Sequence, residues 1–348
     1  MIYQHSDFDQ HEQVIFCHDP DIGLRAIIAI HSTALGPAAG GCRMHPYASE
    51  EEALTDVLRL SQGMSYKNAV AGLPLGGGKC VIIADPDDPK KPEVLRAFAK
   101  HVQSLQGRYW TAIDIGVGPK DADIMAEQCD YIFARASQYE EGFNPSSFTA
   151  YGGFIGIKAS IKSVLKRDNF KGVRVAIQGL GATGYALSKH LHEAGASLMV
   201  ADVRSDVVDK AVEEFKATAV APDLIHSVDA DVFAPCALGA GLNNKTIPEI
   251  KAKIICGLAN NQLKEINHGE MITDRGITYI PDYVVNAGGM MGASTAIFSE
   301  LSREKSLRQI ETLGQTITMI IDRAKTEGKP TAEIADTIAK ERINFVQN

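Results

Sequence analysis

The stretch Val173-Arg-Val-Ala-Ile-Gln-Gly-Leu-Gly-Ala-Thr-Gly184 constrains the fold more than any other. A β-branched apolar run ends in G-x-G-x-x-G, with glycines at Gly179, Gly181 and Gly184, and Tyr185–Glu193 continues in a helical pattern. Ser197–Ala201 reads as the next strand, and Asp202 closes it about 20 residues beyond the glycines. Glycines in this order let a backbone approach a pyrophosphate at a helix N-terminus. Gly179, Gly181, Ala182, Thr183 and Gly184 are therefore expected to bind a dinucleotide. Asp202 is placed to accept hydrogen bonds from the adenosine ribose and to repel a 2′-phosphate, which favours NAD, while Arg204 leaves NADP open.

One such unit accounts for only part of 348 residues, a length that suggests two domains. The first 145 or so residues also alternate strand and helix patterns. Val14–Cys17, Leu24–His31, Val81–Ala84, Trp110–Ile115 and Tyr131–Ala134 read as strands, and Glu50–Met64, Pro92–Gln106 and Pro119–Cys129 as helices. Ser49 and Glu52 form a capping-box signature at the first of these helices. Gln138–Ser147, with Gly142 and Asn144-Pro145, breaks the pattern and is read as a hinge. Helical patterns at Ala296–Glu327 and Thr331–Phe345 end the chain. The expected architecture is α/β in two domains, residues 1–136 and 137–328, separated by a cleft, with a C-terminal helix at about 329–348 returning to the first domain.

Composition narrows the chemistry. The formal charge is 35 − 43 = −8 and no basic run is long enough for a nucleic-acid footprint, so a small-molecule substrate is expected, with no nucleic acid or membrane partner. Cys17, Cys42, Cys80, Cys129, Cys236 and Cys256 are scattered without a C-x-x-C pair, which fits reduced thiols in a cytoplasm, and no cluster has metal-ligand spacing. The N-terminus lacks a basic start and an apolar core, so no leader is expected.

The first domain must then supply substrate contacts and a proton acceptor. Gly72-Leu-Pro-Leu-Gly-Gly-Gly-Lys-Cys-Val-Ile-Ile-Ala-Asp85 is not a phosphate loop, because Leu73 stands where its first glycine belongs and Cys80 where its hydroxyl belongs. Gly36-Pro-Ala-Ala-Gly-Gly-Cys-Arg43 reads as a flexible turn with free N–H groups. Ser65-Tyr-Lys67-Asn and Gly76–Lys79 each offer a lysine, and Trp110-Thr-Ala-Ile-Asp114 carries a carboxylate out of an uncharged run. A lysine can act as a base when burial and a neighbouring cation favour its neutral form. A hydroxy-acid dehydrogenase would instead want a catalytic histidine, and none of His31, His45, His190 or His192 is placed persuasively.

Together, Gly36-Pro-Ala-Ala-Gly-Gly, Tyr66-Lys-Asn-Ala, Gly76-Gly-Gly-Lys, the Asp114 strand, Asn144-Pro-Ser-Ser-Phe-Thr-Ala-Tyr-Gly, Ala234-Pro-Cys-Ala-Leu-Gly and Ala259-Asn-Asn-Gln resemble the Glu/Leu/Phe/Val dehydrogenase family, most closely its leucine and phenylalanine branch. The resemblance runs from about residue 12 to about 345 with the motifs in order. It implies reversible NAD-dependent oxidative deamination of an L-amino acid to a 2-oxo acid, ammonia and NADH. It implies that Lys67 binds the α-carboxylate alongside Gly40 and Gly41, that Lys79 is the general base and that Asp114 shuttles protons. Thr149, Cys236, Ala237, Asn260 and Asn261 would lie by the cofactor, and the chain would form a homo-oligomer, with a dimer favoured.

The pocket implied by the resemblance is Ala39, Met64, Ala112, Met290 and Ala293, all apolar. Ala39 replaces the lysine that pairs with the substrate side chain in the glutamate branch, so glutamate would bury an uncompensated carboxylate. The leucine branch commonly has leucine at Ala39, valine at Met290 and Ala293, asparagine at Gly292 and a smaller residue at Leu258, so this pocket is reshaped. A leucine- or valine-type substrate is favoured, with Ala112 leaning aliphatic. The alternatives are a phenylalanine- or tryptophan-preferring enzyme and a catalytically silent dinucleotide-binding regulator, which would be expected to have lost Lys67, Lys79 or Asp114.

Overall fold

The structure, a computed structural model, describes residues 2–139, 144–237, 239–299 and 301–347. Residues 1–141, 293–301 and 338–348 form one unit, and 142–292 with 302–337 form the other. Relative to the expected boundaries, the first unit also takes in 293–301, and its C-terminal segment starts at 338. Among the described residues no helix is long and apolar enough to cross a membrane.

In the first unit, β1 (Gln13–Asp19), β2 (Leu24–Ser32), β3 (Ala38–His45), β4 (Gly76–Ile83) and β5 (Tyr109–Ile113) lie in the order β1-β2-β4-β3-β5. β1, β2 and β4 pair antiparallel, whereas β3 runs parallel to β4 and β5. The run Leu-Arg-Ala-Ile-Ile-Ala-Ile of β2 is almost uninterruptedly apolar because both faces of the sheet are covered. On one face Ile27, Ala29 and Val81 meet Ala53, Val57 and Leu58 of α1 (Glu50–Val70). On the other, Ile28, Ile30 and Ile82 meet Leu95 and Phe98 of α2 (Lys91–Gln103) and Met125 of α3 (Pro119–Ala126). Ser49 Oγ accepts the Glu52 N–H at 3.1 Å, and the Glu52 carboxylate accepts the Ala48 N–H at 2.9 Å, one residue before the expected capping-box partner.

Four local expectations change. α1 continues past Met64 to Val70, and Tyr131–Ala134 contributes a single bridge, Thr111 to Ile132, rather than a strand. Gly36–Arg43 is not a flexible turn, since from Ala38 onward it is β3, buried between β4 and β5. β4 likewise starts at Gly76 rather than Val81. The glycines serve close approach: a Cβ at Gly77 would lie 2.0 Å from the Ser65 nitrogen, and one at Gly40 would lie 1.9 Å from the Gly78 carbonyl oxygen.

The second unit opens with α4 (Pro145–Leu165), followed by β6 (Arg174–Gln178), α5 (Ala182–Glu193), β7 (Ser197–Ala201), α6 (Ser205–Phe215), β8 (Thr218–Ala219), β9 (Val232–Pro235), β10 (Ile254–Ile255), α7 (His268–Asp274) and β11 (Thr278–Tyr279). The six strands are all parallel in the order β11-β10-β9-β6-β7-β8, so the direction of winding reverses between β6 and β9. In such sheets that reversal leaves a crevice at the carboxyl ends of the strands. Along the chain, short helices α8 (Asp282–Val285), α9 (Gly288–Ala293) and α10 (Thr295–Phe298) follow, α10 belonging to the first unit. Then come α11 (Arg303–Glu311), α12 (Leu313–Glu327) and α13 (Thr331–Gln347), which belongs to the first unit from residue 338, so the helical patterns expected at Ala296–Glu327 resolve into three helices. Of the expected hinge, residues 140–143 with Gly142 lie outside the described residues. Its Asn144-Pro145 starts α4: Asn144 Oδ1 accepts the Ser147 N–H and Ser147 Oγ accepts the Asn144 N–H, each at 3.0 Å, with Pro145 in the first turn.

Candidate active site

Strand alternation turns Gly77, Lys79 and Val81 of β4 toward α1. The Lys79 side chain is only 8% exposed, and its Nζ lies 2.6 Å from Asp114 Oδ2. Asp114 follows the end of β5, in a turn closed by the Val117 N–H donating to its carbonyl at 2.9 Å. Arg43 of β3 reaches the same carboxylate oxygen with Nε at 3.2 Å. Burial alone would raise the Asp114 pKa, but the Lys79 and Arg43 cations outweigh it and hold the carboxyl below its ordinary value.

Other residues expected in the first domain lie on β3 and β5 of the same sheet or on α1. A Cβ at Gly41 would lie 2.9 Å from the Asp114 Cβ, and one at Gly40 would lie 3.1 Å from Met64 Cγ. Ala39 pairs with Gly77 and Trp110, and Gly41 with Ala112, so Ala39 and Ala112 sit in the sheet next to the glycines. Lys67 stands one turn beyond Met64 on α1. Asn68 anchors that turn, its Nδ2 donating to the Gly76 carbonyl at 2.7 Å. Of the expected pocket, Ala39, Met64, Ala112 and Ala293 belong to the first unit and Met290 to the second.

In the second unit the expected glycines, Asp202, and Cys236 with Ala237 follow the carboxyl ends of β6, β7 and β9, while Thr149 lies on α4 and Asn260 and Asn261 follow β10. Gly179 has φ 95°, which a side chain rarely adopts, and a Cβ there would lie 2.7 Å from the Ala237 nitrogen. A Cβ at Gly184 would lie 2.1 Å from the Gly179 oxygen and 3.2 Å from the Cys236 Cβ, so α5 starts hard against the strand ends. Gly181, the cap residue before Ala182 and Thr183, faces open space with nothing within 4 Å of a Cβ, the cradle a diphosphate would fill. Asp202 Oδ2 accepts the Leu180 N–H at 2.7 Å and Oδ1 the Arg204 N–H at 3.0 Å, with Arg204 Nε 3.4 Å away. Burial raises its pKa, and these hydrogen bonds with the Arg204 charge turn the net shift downward, so it stays an acceptor. Asn260 Oδ1 accepts from Asn286 Nδ2 at 2.6 Å, Asn261 adopts φ 53°, and Thr149 Oγ1 donates to the Pro145 carbonyl at 2.8 Å. Burial pushes the Cys236 thiol up to about 12, which leaves it protonated and unsuited to nucleophilic chemistry.

Sequence reasoning gave no role to Arg43, Asp56 or Tyr47. Arg43 NH1 lies 2.9 Å from Asp56 Oδ2, and the Tyr47 hydroxyl donates to that oxygen at 2.5 Å. The available signal was a charged residue directly after Gly40-Gly-Cys, where the rest of β3 is uncharged up to its last residue.

Two family models match the chain: "Glu/Leu/Phe/Val dehydrogenase, dimerisation domain" over residues 11–131 and "Glutamate/Leucine/Phenylalanine/Valine dehydrogenase" over residues 198–344. Leucine dehydrogenase of Bacillus cereus is 47% identical over 347 residues, covering 100% of this chain and 94% of that one. Valine dehydrogenase of Streptomyces virginiae is 43% identical over 343 residues, covering 98% of this chain and 96% of that one. The crystal structure of L-tryptophan dehydrogenase from Nostoc punctiforme superposes with a TM-score of 0.87 at 41% identity, covering 97% of each chain. Full-length identity at this level, with both family models matched in order, establishes that the chain belongs to the Glu/Leu/Phe/Val dehydrogenase family of amino-acid oxidoreductases.

Proposed function

We propose that the protein catalyses reversible NAD-dependent oxidative deamination of an apolar L-amino acid, of leucine or valine type, to its 2-oxo acid, ammonia and NADH. The observation that carries the reading is the pair of buried Lys79 with partly buried Asp114 at 2.6 Å, set beside glycines that press β3, β4 and β5 together. Lys67 binds the substrate carboxylate, with Gly40 and Gly41 beside it. Lys79 takes a proton from the water that adds to the substrate iminium, and Asp114 holds the amino group and relays protons. Bound NAD supplies the hydride acceptor. Gly179, Gly181, Ala182, Thr183 and Gly184 hold its diphosphate, Asp202 its adenosine ribose, and Thr149, Cys236, Ala237, Asn260 and Asn261 its nicotinamide end. The cradle in front of Gly181 and the ionised Asp202 suit that group.

An aliphatic substrate is supported by fully buried Ala39 and nearly buried Ala112, neither of which offers a cation to a second carboxylate, and by the leucine and valine dehydrogenases among the relatives. Met290 and Ala293 complete the pocket in this reading. The 41% identity to a tryptophan dehydrogenase favours an aromatic substrate as the second reading. A homo-oligomer, with a dimer favoured, and a cytoplasmic location belong to the same proposal.

The test is NADH formation from L-leucine, L-valine, L-phenylalanine, L-tryptophan and L-glutamate, with Lys79→Ala as control. Leucine and valine are expected to lead and glutamate to trail. Lys79→Ala is expected to lower kcat by about 10²–10⁴, the usual worth of a general base. Glutamate turning over best would overturn the substrate class, and wild-type turnover by Lys79→Ala would overturn the mechanism.

A further inference from the structure

We propose that Arg43 is a positioning residue for this reaction: it is the standing counter-ion of Asp114, returning that carboxylate to its anionic form after each proton it relays for Lys79. The inference rests on Lys79 and Asp114 being the proton-handling pair.

The geometry is a chain of alternating charge. Lys79 Nζ at 2.6 Å and Arg43 Nε at 3.2 Å share one oxygen, Asp114 Oδ2. The other end of the guanidinium meets Asp56 of α1, with NH1 2.9 Å from Oδ2 and 3.2 Å from Oδ1, and the Tyr47 hydroxyl donates to the same Asp56 Oδ2 at 2.5 Å. The side chains of Arg43, Asp114 and Asp56 are 21%, 21% and 26% exposed, so water screens them poorly. A base lysine whose only partner is a carboxylate can stall, because a proton passed to that carboxylate can rest there with both groups neutral instead of moving on. Guanidinium cannot release a proton in proteins, and its planar fork fits two carboxylates at once. With Arg43 fixed on Oδ2, Asp114 keeps a cation in either state of Lys79. Asp56 and Tyr47 hold the guanidinium in line, and Asp56 balances its charge. The other charged or titratable groups facing Asp114 are Lys79 of β4 and the Cys42 thiol of β3, with the Ile115 N–H as a hydrogen-bond donor.

The experiment follows kcat and kcat/KM against pH, with the best amino acid of the panel, for wild type, Arg43→Gln, Arg43→Lys and Asp56→Asn, with Lys79→Ala alongside. Melting temperature and NADH binding report the fold of each variant. A second readout, free of turnover, is the Asp114 Cγ resonance in protein labelled with ¹³C at aspartate carboxyls, assigned by its loss in Asp114→Asn. Removing a cation favours the protonated forms of the pair, so Arg43→Gln is expected to move the acidic limb of kcat/KM and the Asp114 titration up by about one pH unit or more. At neutral pH kcat should fall more than KM changes, with recovery at high pH. Arg43→Lys, which keeps a cation, should restore most of the limb, and Asp56→Asn, which removes an anion, should move it the other way. An unmoved limb and an unmoved Asp114 titration in Arg43→Gln, with kcat lowered equally at all pH or only the melting temperature lowered, would make Arg43 merely structural. Should Arg43→Gln not fold, a limb in Asp56→Asn that stays put or moves up overturns the proposal in its place. Turnover surviving in Lys79→Ala would instead sink the underlying assignment, whatever Arg43 does.

Discussion

A carboxylate oxygen shared by an ammonium and a guanidinium makes the three corners of the cluster unequal to substitution. Asp114→Asn leaves Lys79, 8% exposed, without its carboxylate and facing Arg43. Breaking a buried pair in this way costs about 3–5 kcal/mol. Lys79→Ala leaves Asp114 still paired to Arg43, so its loss is expected to be nearer the value of a hydrogen bond to a charged group, about 1.5–3 kcal/mol. The sole tryptophan, Trp110, lies in the first unit, so urea unfolding followed by its fluorescence reports this unit. Equal losses in the two variants would mean that Arg43 does not hold Asp114. Lys79 stood out in the sequence as a lysine behind three glycines, and Asp114 as a carboxylate leaving an uncharged strand run. Arg43 was hidden in a stretch whose glycines suggest a turn, and Asp56 looks like any acidic residue on a helix until its partner across the sheet is known.

At the scale of elements, patterns were legible where capping signals, apolar runs free of glycine or motif spacing mark them, and were lost where glycines interrupt a buried segment. α1 and the strand–glycine–helix unit of β6 and α5 announce themselves by capping, apolar runs and spacing. β3 and α4 do not. In β3 the glycines accommodate neighbouring strands rather than a bend. In α4 the segment Tyr151-Gly-Gly-Phe-Ile-Gly-Ile has no polar face to reveal a helical period, because its glycines press against other elements. Gly152 has the least room to give, since an added Cβ would lie 2.9 Å from Gly288 Cα, backbone against backbone, whereas the 2.8 Å contact at Gly153 is with the end of the Leu258 side chain. Gly63, exposed on α1, has nothing within 4 Å of a Cβ. Gly152→Ala is therefore expected to destabilise by about 1–3 kcal/mol, whereas Gly63→Ala should stabilise by about 0.5–1 kcal/mol through helix propensity alone. Melting temperatures moving in opposite directions would bear this out. If both fall, the free space at Gly63 is filled in the assembled protein.

At the scale of the whole molecule, acid sensitivity is set by where histidines are buried. In the first unit, His31 Nδ1 lies 2.8 Å from Ser65 Oγ and its Nε2 3.9 Å from Asp9 Oδ2, while the His11 ring packs edge-on at 4.9 Å. His11 Nε2 in turn lies 3.1 Å from the Leu58 carbonyl and 3.0 Å from Ser61 Oγ. Burial, with the His11 charge adding to it and Asp9 only partly opposing, lowers His31 to about 4, and burial lowers His11 as well. A folded pKa below the unfolded value of about 6.5 means that the unfolded chain binds the proton first. Stability is thus fully present above pH 6.5 and declines as pH falls from there toward 4. At pH 5 the loss from His31 alone is about 2 kcal/mol relative to pH 7.5. The depressed carboxylates of the same unit, Asp7, Glu12 and Asp114, lose their contribution only at lower pH, below their ordinary values of 3.8 to 4.5. Between pH 6.5 and 5 the buried histidines therefore dominate. Trp110-monitored urea midpoints should drop over this interval in wild type, and His31→Asn, which keeps a polar partner for Ser65, should flatten the drop. An equal drop in His31→Asn would assign the acid sensitivity to other groups.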